Sequence, residues 1–196
     1  DSTYVADDAD PKAAAESLAD GAMYNTGQSC CSVERIYVHE KIHDAFVAAF
    51  VDTVKTFKSG DPMSDDTYIG AITRAPQLDV LDAQVVDARA KGATLLLGGA
   101  RGPGPGNWYP PTVFSNVTHA MDLMREESFG PIIGIQKVSG DAQAVQLMND
   151  TRYGLTAGVY TPDEARARAV LSQVNAGSAY WNCCDRVSAA LPWSGR

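Results

Sequence analysis

Basic residues, histidines and long apolar runs are all scarce in this chain of 196 residues. Sixteen Lys and Arg stand against 24 Asp and Glu, a formal net charge of -8, which argues against nucleic acid or an anionic membrane as the main partner. No stretch approaches the roughly 20 apolar residues that span a bilayer. Asp1 to Val5 has neither the basic nor the apolar segment of a secretory signal. The four cysteines lie as two adjacent pairs, Cys30-Cys31 and Cys183-Cys184. That spacing is a poor disulfide framework and is not the CxxC of a zinc site, so a cytoplasmic, thiol-reducing compartment is expected. There is no GxSxG nucleophile elbow. The glycine-rich run from Gly98 to Gly106 lacks the lysine of a phosphate-binding loop and leads to Pro110-Pro111 rather than into a helix.

Apolar residues make up 45% and charged residues 20% of the sequence, the balance of a globular chain long enough to bury one large core. Asp10-Pro11 is a helix start, with an acceptor at the N-cap and proline at the first helical position. Ala14, Leu18, Ala22 and Met23 continue one face of that helix. Ile42, Phe46, Ala49, Phe50, Val54 and Phe57 mark a second helix beginning near Glu40. Ala75-Pro76 opens a third, with Leu78, Leu81, Val85 and Ala88 inward. Two more helices are predicted, from Asp141 to Asn149 and from Pro162 to Val174. Arg35 to Val38, Thr94 to Leu97, Thr112 to Phe114, Ile132 to Val138, Ala157 to Tyr160 and Ser178 to Trp181 read as strands. Thr94 to Leu97 is expected to be buried, and Tyr4-Val5-Ala6 reads as a strand entered midway. Alternating strands and helices require crossover connections, so the predicted fold class is α/β, a mostly parallel twisted sheet flanked by helices. No internal boundary divides residues 1–196, which read as a single domain of a longer protein.

Three stretches carry chemistry. Gly27-Gln28-Ser29-Cys30-Cys31-Ser32 puts two thiols in a polar turn between helix and strand, where rigid neighbours present reactive groups. The competing reading makes Cys30 and Cys31 small buried hydrophobes. His39-Glu40-Lys41-Ile42-His43 is a literal HExxH, which in a zinc hydrolase needs both histidines one turn apart on one helix. Here His39 falls at the end of a strand, and nothing singles out His119 or a carboxylate as a third ligand. Glu126-Glu127-Ser128-Phe129-Gly130-Pro131 leads into the strand at Ile132 and presents Glu127 and Phe129 at its edge. A carboxylate there can accept both hydroxyls of a ribose, and the ring can flank a flat heterocycle. A charged turn with one anchoring phenylalanine is the simpler reading.

Taken together, Asn25 to Cys30 with Arg35, Pro111-Thr112-Val113, Glu126 to Pro131, Asn149 to Leu155, Asn175 to Ser178, Asn182 and Leu191 to Gly195 resemble the NAD(P)-dependent aldehyde dehydrogenase superfamily. Order and spacing hold over essentially the whole chain. The resemblance implies the catalytic domain of that fold, a Rossmann-like three-layer arrangement, and oxidation of an aldehyde to a carboxylic acid with NAD or NADP as acceptor. Cys30 would be the nucleophile, forming a thiohemiacetal and then a thioester that water hydrolyses, with its backbone N–H among the oxyanion donors. Glu127 would hold the nicotinamide ribose and Phe129 would lie near the nicotinamide ring. Gln77 could approach the same ribose, though no distinctive motif surrounds it. Ser29 and Cys31 would shape the aldehyde pocket, with Arg186, Val187 and Trp193 along its access tunnel, and Asn182 would brace the active-site loop. Arg186 could attract a carboxylate-bearing semialdehyde or simply be solvated.

The resemblance also implies what lies outside the chain. The dinucleotide-binding domain, the general-base glutamate and the oxyanion asparagine would precede Asp1, and a C-terminal oligomerisation strand would follow. The full-length protein is then expected to be a homodimer or homotetramer acting on a small-molecule aldehyde without a metal, and this chain alone is expected to be inactive. Which aldehyde, NAD or NADP, and hydrolysis or transfer to coenzyme A stay open. The alternatives are a zinc hydrolase using His39 and His43, and a catalytically silent relative that keeps only the fold.

Overall fold

The apolar runs at Arg35–His39, Ile132–Val138 and Thr156–Tyr160 become strands, and those at Pro11–Met23 and His43–Val54 become helices with a buried face. The computed structural model describes residues 1–184, 187, 189–190 and 192–196. Its strands are β1 (Ser2–Val5), β2 (Arg35–His39), β3 (Thr94–Leu97), β4 (Thr112–Ser115), β5 (Ile132–Val138), β6 (Thr156–Tyr160) and β7 (Ser178–Trp181). They form one sheet in the order β3-β4-β5-β2-β1-β6-β7. All pairings are parallel except that of β3 with β4. The helices are α1 (Pro11–Met23), α2 (His43–Val54), α3 (Ala75–Ala90), α4 (Asp141–Asn149) and α5 (Glu164–Leu171).

Side chains that alternate along the inner strands serve two cores, which makes the three layers. Val5, Ile36, Val38, Val113, Ile133 and Ile135 pack with α1 and α2 on one face. Tyr4, Tyr37, Phe114 and Ile132 pack with α3, α4 and α5 on the other. Phe46 and Phe50, one turn apart on α2, are fully buried, each worth about 1.5–3 kcal/mol of transfer free energy. The expected α/β fold is therefore observed.

Three local expectations need correction. Helix α2 begins at His43 rather than near Glu40, because Ile42 still belongs to the turn in which its N–H bonds the His39 carbonyl at 3.1 Å. Helix α5 begins at Glu164, not Pro162, since the Asp163 carboxylate accepts from Ala165 N and Arg166 N and fixes the start there. Strand β3 is not buried: it is the antiparallel edge of the sheet, and its residues are exposed or half-buried.

Candidate active site

Helix α1 ends at Met23, and the chain then turns through Asn25, Thr26 and Gly27 with φ of 50°, 60° and 68°. Successive left-handed residues are costly, most of all for a β-branched threonine, so the surroundings must hold them. Thr26 Oγ1 accepts from Gly70 N at 3.0 Å. Gln28 Oε1 accepts from Thr73 N at 2.9 Å, and Gln28 Nε2 donates to the Ala71 carbonyl at 3.4 Å. Gly27 could not be another residue: a Cβ there would stand 2.2 Å from the Gly130 carbonyl oxygen. The cysteine turn thus lies directly against the Glu126–Pro131 loop.

The two thiols of this turn separate. Cys30 is exposed, whereas Cys31 is 2% exposed. The Cys31 sulfur lies 3.4 Å from Tyr24 OH and 3.3 Å from Ser29 Oγ, and Tyr24 donates to Ser29. Cys30 lines a cavity of about 140 Å³ with Glu34, Arg35, Glu127, Tyr153 and Leu155. Arg35 opens β2 and Leu155 immediately precedes β6, so this cavity lies at the amino ends of the parallel strands. Open α/β sheets more often bind ligands at the opposite end.

The Glu126–Pro131 loop is anchored from several sides. Glu34 Oε2 accepts from Ser128 N at 2.7 Å and Glu34 Oε1 accepts from Phe129 N at 3.0 Å. Gln77 Nε2 donates to the Ser128 carbonyl at 2.6 Å. Arg152 pairs with Glu126, and Tyr153 OH donates to the same carboxylate at 3.2 Å. Phe129 itself has a φ of 47°. The Glu127 carboxyl is pushed above the usual carboxylate range by burial and then by the Glu34 charge. Glu127 also borders a second cavity of about 590 Å³, together with Phe129, Gln77, Arg74 and Gln28, a volume within the ligand-pocket range of about 300–1,000 Å³.

A thiol in a strained, glycine-dependent turn therefore lies against an acidic and aromatic loop. The chain fits the sequence model of the aldehyde dehydrogenase family over residues 1–196. It belongs to the aldehyde dehydrogenase family. It is 38% identical over 182 residues to the succinate semialdehyde dehydrogenase (NAD(P)+) Sad of Escherichia coli, covering 93% of this chain and 39% of the relative. Against the betaine aldehyde dehydrogenase of Brucella melitensis it is 34% identical over 195 residues, 97% of this chain and 40% of the relative. The crystal structure of an NAD-dependent aldehyde dehydrogenase from Sinorhizobium meliloti superposes with a TM-score of 0.95 at 35% identity, covering 99% of this chain and 39% of that one. The chain thus spans about two fifths of the length of these aldehyde dehydrogenases.

Other residues expected from the sequence fall as follows. Ser29 and Cys31 face Tyr24 rather than the Cys30 cavity. Val187 is 67% exposed and Trp193 38%. The end of the chain returns to the amino ends of the strands: Ser178 Oγ meets the Pro192 carbonyl at 3.5 Å, and Arg196 N donates to the Gly154 carbonyl at 3.1 Å. That return brings the Trp193 segment to the same end of the sheet as Cys30. Arg186 lies outside the described residues. Asn182 does brace a turn, but at the opposite end of the sheet. Its Oδ1 accepts from Thr161 N and its Nδ2 donates to the Thr161 carbonyl, both at 3.0 Å, just past β6.

His39 closes β2 and His43 opens α2, each with its own local partner: Lys41 N donates to His39 Nδ1 at 3.2 Å, and His43 Nδ1 lies 2.8 Å from Asp44. They are not one helical turn apart, and among the described residues no group of three His, Cys, Asp or Glu is arranged to hold a metal ion. No helix among the described residues is long and apolar enough to cross a membrane. Another cavity, of about 750 Å³ beside Ile69, Arg101, Trp108 and Tyr109, contains none of the expected site residues.

Sequence reading missed Glu34 and left Gln77 uncounted. A glutamate at the mouth of a strand reads as solvated, and only the fold brings it to residues 128 and 129. The available signal was the pair Glu34-Arg35, two charges at the start of an otherwise apolar strand.

Proposed function

We propose that this chain is the cysteine-bearing catalytic domain of an NAD(P)-dependent aldehyde dehydrogenase that oxidises an aldehyde to a carboxylic acid, with Cys30 as nucleophile. One observation carries the reading: the exposed thiol of Cys30 shares a cavity with Glu127, which in turn borders the larger cavity containing Phe129 and Gln77. An electrophile in the small cavity can meet the sulfur while a ligand in the large one abuts the same carboxylate.

The chemistry asked of this chain is limited and specific. Cys30, as thiolate, attacks the aldehyde carbonyl carbon and forms a thiohemiacetal. Its own backbone N–H is available to the developing oxyanion. Loss of hydride from carbon and of the hydroxyl proton to solvent converts that adduct to a thioester, which water cleaves to the acid and the free thiol. The donor set around the larger cavity fits the nicotinamide half of a dinucleotide, with Glu127 to accept ribose hydroxyls, Gln77 beside it, and the Phe129 ring to flank a flat heterocycle. NAD(P), when bound, supplies the hydride acceptor. The base that activates water and most of the dinucleotide contacts belong to residues outside this chain, as does the strand through which a homodimer or homotetramer would form.

The test is NADH or NADPH formation by the whole protein with a panel of aldehydes that includes succinate semialdehyde and betaine aldehyde. Turnover should require an aldehyde and vanish in Cys30→Ala; turnover that survives this substitution overturns the reading.

A further inference from the structure

Among the buried charges that the proposed chemistry leaves without a task is the Glu34 carboxylate. Glu34 is 7% exposed, yet it sits four residues beyond Cys30 on the wall of the same cavity. Its two oxygens are engaged by two successive backbone N–H groups, Ser128 N at 2.7 Å and Phe129 N at 3.0 Å. Those amides belong to a segment that needs holding. Phe129 is a non-glycine residue at φ 47°, and the neighbouring Ser128 Oγ is buried without a hydrogen-bond partner, so that side chain does not secure the turn.

We propose that Glu34 is a positioning residue, a carboxylate clamp that reaches from the cysteine turn to lock the backbone at Ser128-Phe129 and so fixes the aim of Glu127 and Phe129 into the cofactor cavity. The functional half of this proposal rests on the cofactor reading above; the grip on the loop does not.

The clamp requires a carboxylate. Two adjacent N–H donors need two acceptors, and an ionised carboxylate offers both with charge assistance. Glutamine keeps the shape but offers one acceptor and turns an NH2 toward the other N–H. Alanine leaves both donors empty, the buried one at Ser128 and the half-buried one at Phe129, and aspartate is one methylene short. The link is also geometrically economical: Glu34 and Gly27 both belong to the segment around Cys30, and Gly27 already touches Gly130. Loop and cysteine turn are therefore held together at two points, one by close approach and one by charge.

The experiment uses the whole protein with Glu34→Gln and Glu34→Ala. Hydrogen–deuterium exchange is read by mass spectrometry on the peptide spanning residues 126–131, and KM is measured separately for the dinucleotide and the aldehyde. Both variants should speed exchange in that peptide. They should raise the dinucleotide KM about tenfold or more, as expected when charge-assisted hydrogen bonds to a buried donor are lost, and leave the aldehyde KM within about twofold. Formate added to Glu34→Ala should restore both readouts, whereas chloride should not. If the alanine variant unfolds, exchange rises along the whole chain and the isosteric glutamine variant decides. A loop that stays protected in the folded variants overturns the proposal through Glu34. A loop that loosens while the dinucleotide KM stays unchanged overturns it through the cofactor reading.

Discussion

Cys30 and Cys31 are adjacent in sequence and opposite in environment, and this division matters most at the scale of single residues. The exposed thiol is the one free to meet an electrophile, while the other is enclosed with Tyr24 and Ser29. A thiol reagent should therefore label wild type and Cys31→Ala at similar fast rates, and Cys30→Ala should lose the fast phase. Stopped-flow labelling with mass detection checks this, and a fast phase retained in Cys30→Ala would count against it. Gly27 is equally exacting. A methyl group there must displace the Gly130 backbone and occupy a φ of 68°, so Gly27→Ala should cost about 2 kcal/mol or more and slow Cys30 labelling, as read by urea unfolding and the same reagent. The motif around Cys30 was legible because glycine and cysteine each have few uses in a polar turn. Which thiol faces outward could be expected only from the family resemblance, since locally it depends on Tyr24 and Ser29 closing over one of them. Glu34 was hidden for the same kind of reason, because its partners lie 94 and 95 residues away.

Among the elements, those with an internal period were read nearly to the residue. Helix α1 starts and stops where Asp10, Pro11 and Met23 placed it, and β5 and β7 keep their expected bounds. The misses are where the fold decides. Strand β3 has the composition of a buried strand but ends at the sheet edge, since local sequence does not record how many neighbours a strand acquires. The cluster at Arg166 is another such case. Its guanidinium pairs with Asp7 at 2.9 Å, Asp8 at 3.1 Å and Asp141 at 2.6 Å, joining the turn after β1 to the starts of α4 and α5. Lys41 and Arg166 hold the Asp7 carboxyl down at about 2, and Arg166 holds Asp141 below its ordinary value. Because both folded-state values lie below the unfolded ones, this stabilisation is complete above about pH 4 and is lost as pH falls toward 2. Arg166→Met should cost about 2 kcal/mol at pH 7, and the cost should shrink at pH 3. Urea melts at the two pH values check this; an equal loss at both would contradict it.

At the scale of the whole molecule, the sheet holds the proposed site at the amino ends of its strands. The cysteine turn, the Glu126–Pro131 loop and the returning C-terminal segment meet there from separate parts of the chain. This convergence explains why the fold class could be read from alternating elements, while the site had to be inferred from resemblance: no periodic pattern encodes three loops coming together. It also sets an expectation for the chain in isolation. The chain spans about two fifths of its relatives' length, and the proposal gives it the nucleophile while assigning the base and most of the dinucleotide contacts to other residues. These 196 residues alone should keep the fast thiol and give no NADH from any aldehyde in the panel; clear turnover would show that the missing parts are dispensable.

The proposed oxidation depends above all on the bond formed at one sulfur. The most direct measurement is acid quenching of the whole protein during turnover with aldehyde and NAD(P), followed by peptide mass spectrometry. The expected result is an acyl group of the aldehyde's mass, less one hydrogen, on the peptide containing Cys30 and located on that residue. An acyl group found instead on Cys31 or another side chain, or turnover with no acyl-enzyme while Cys30→Ala remains active, would contradict it.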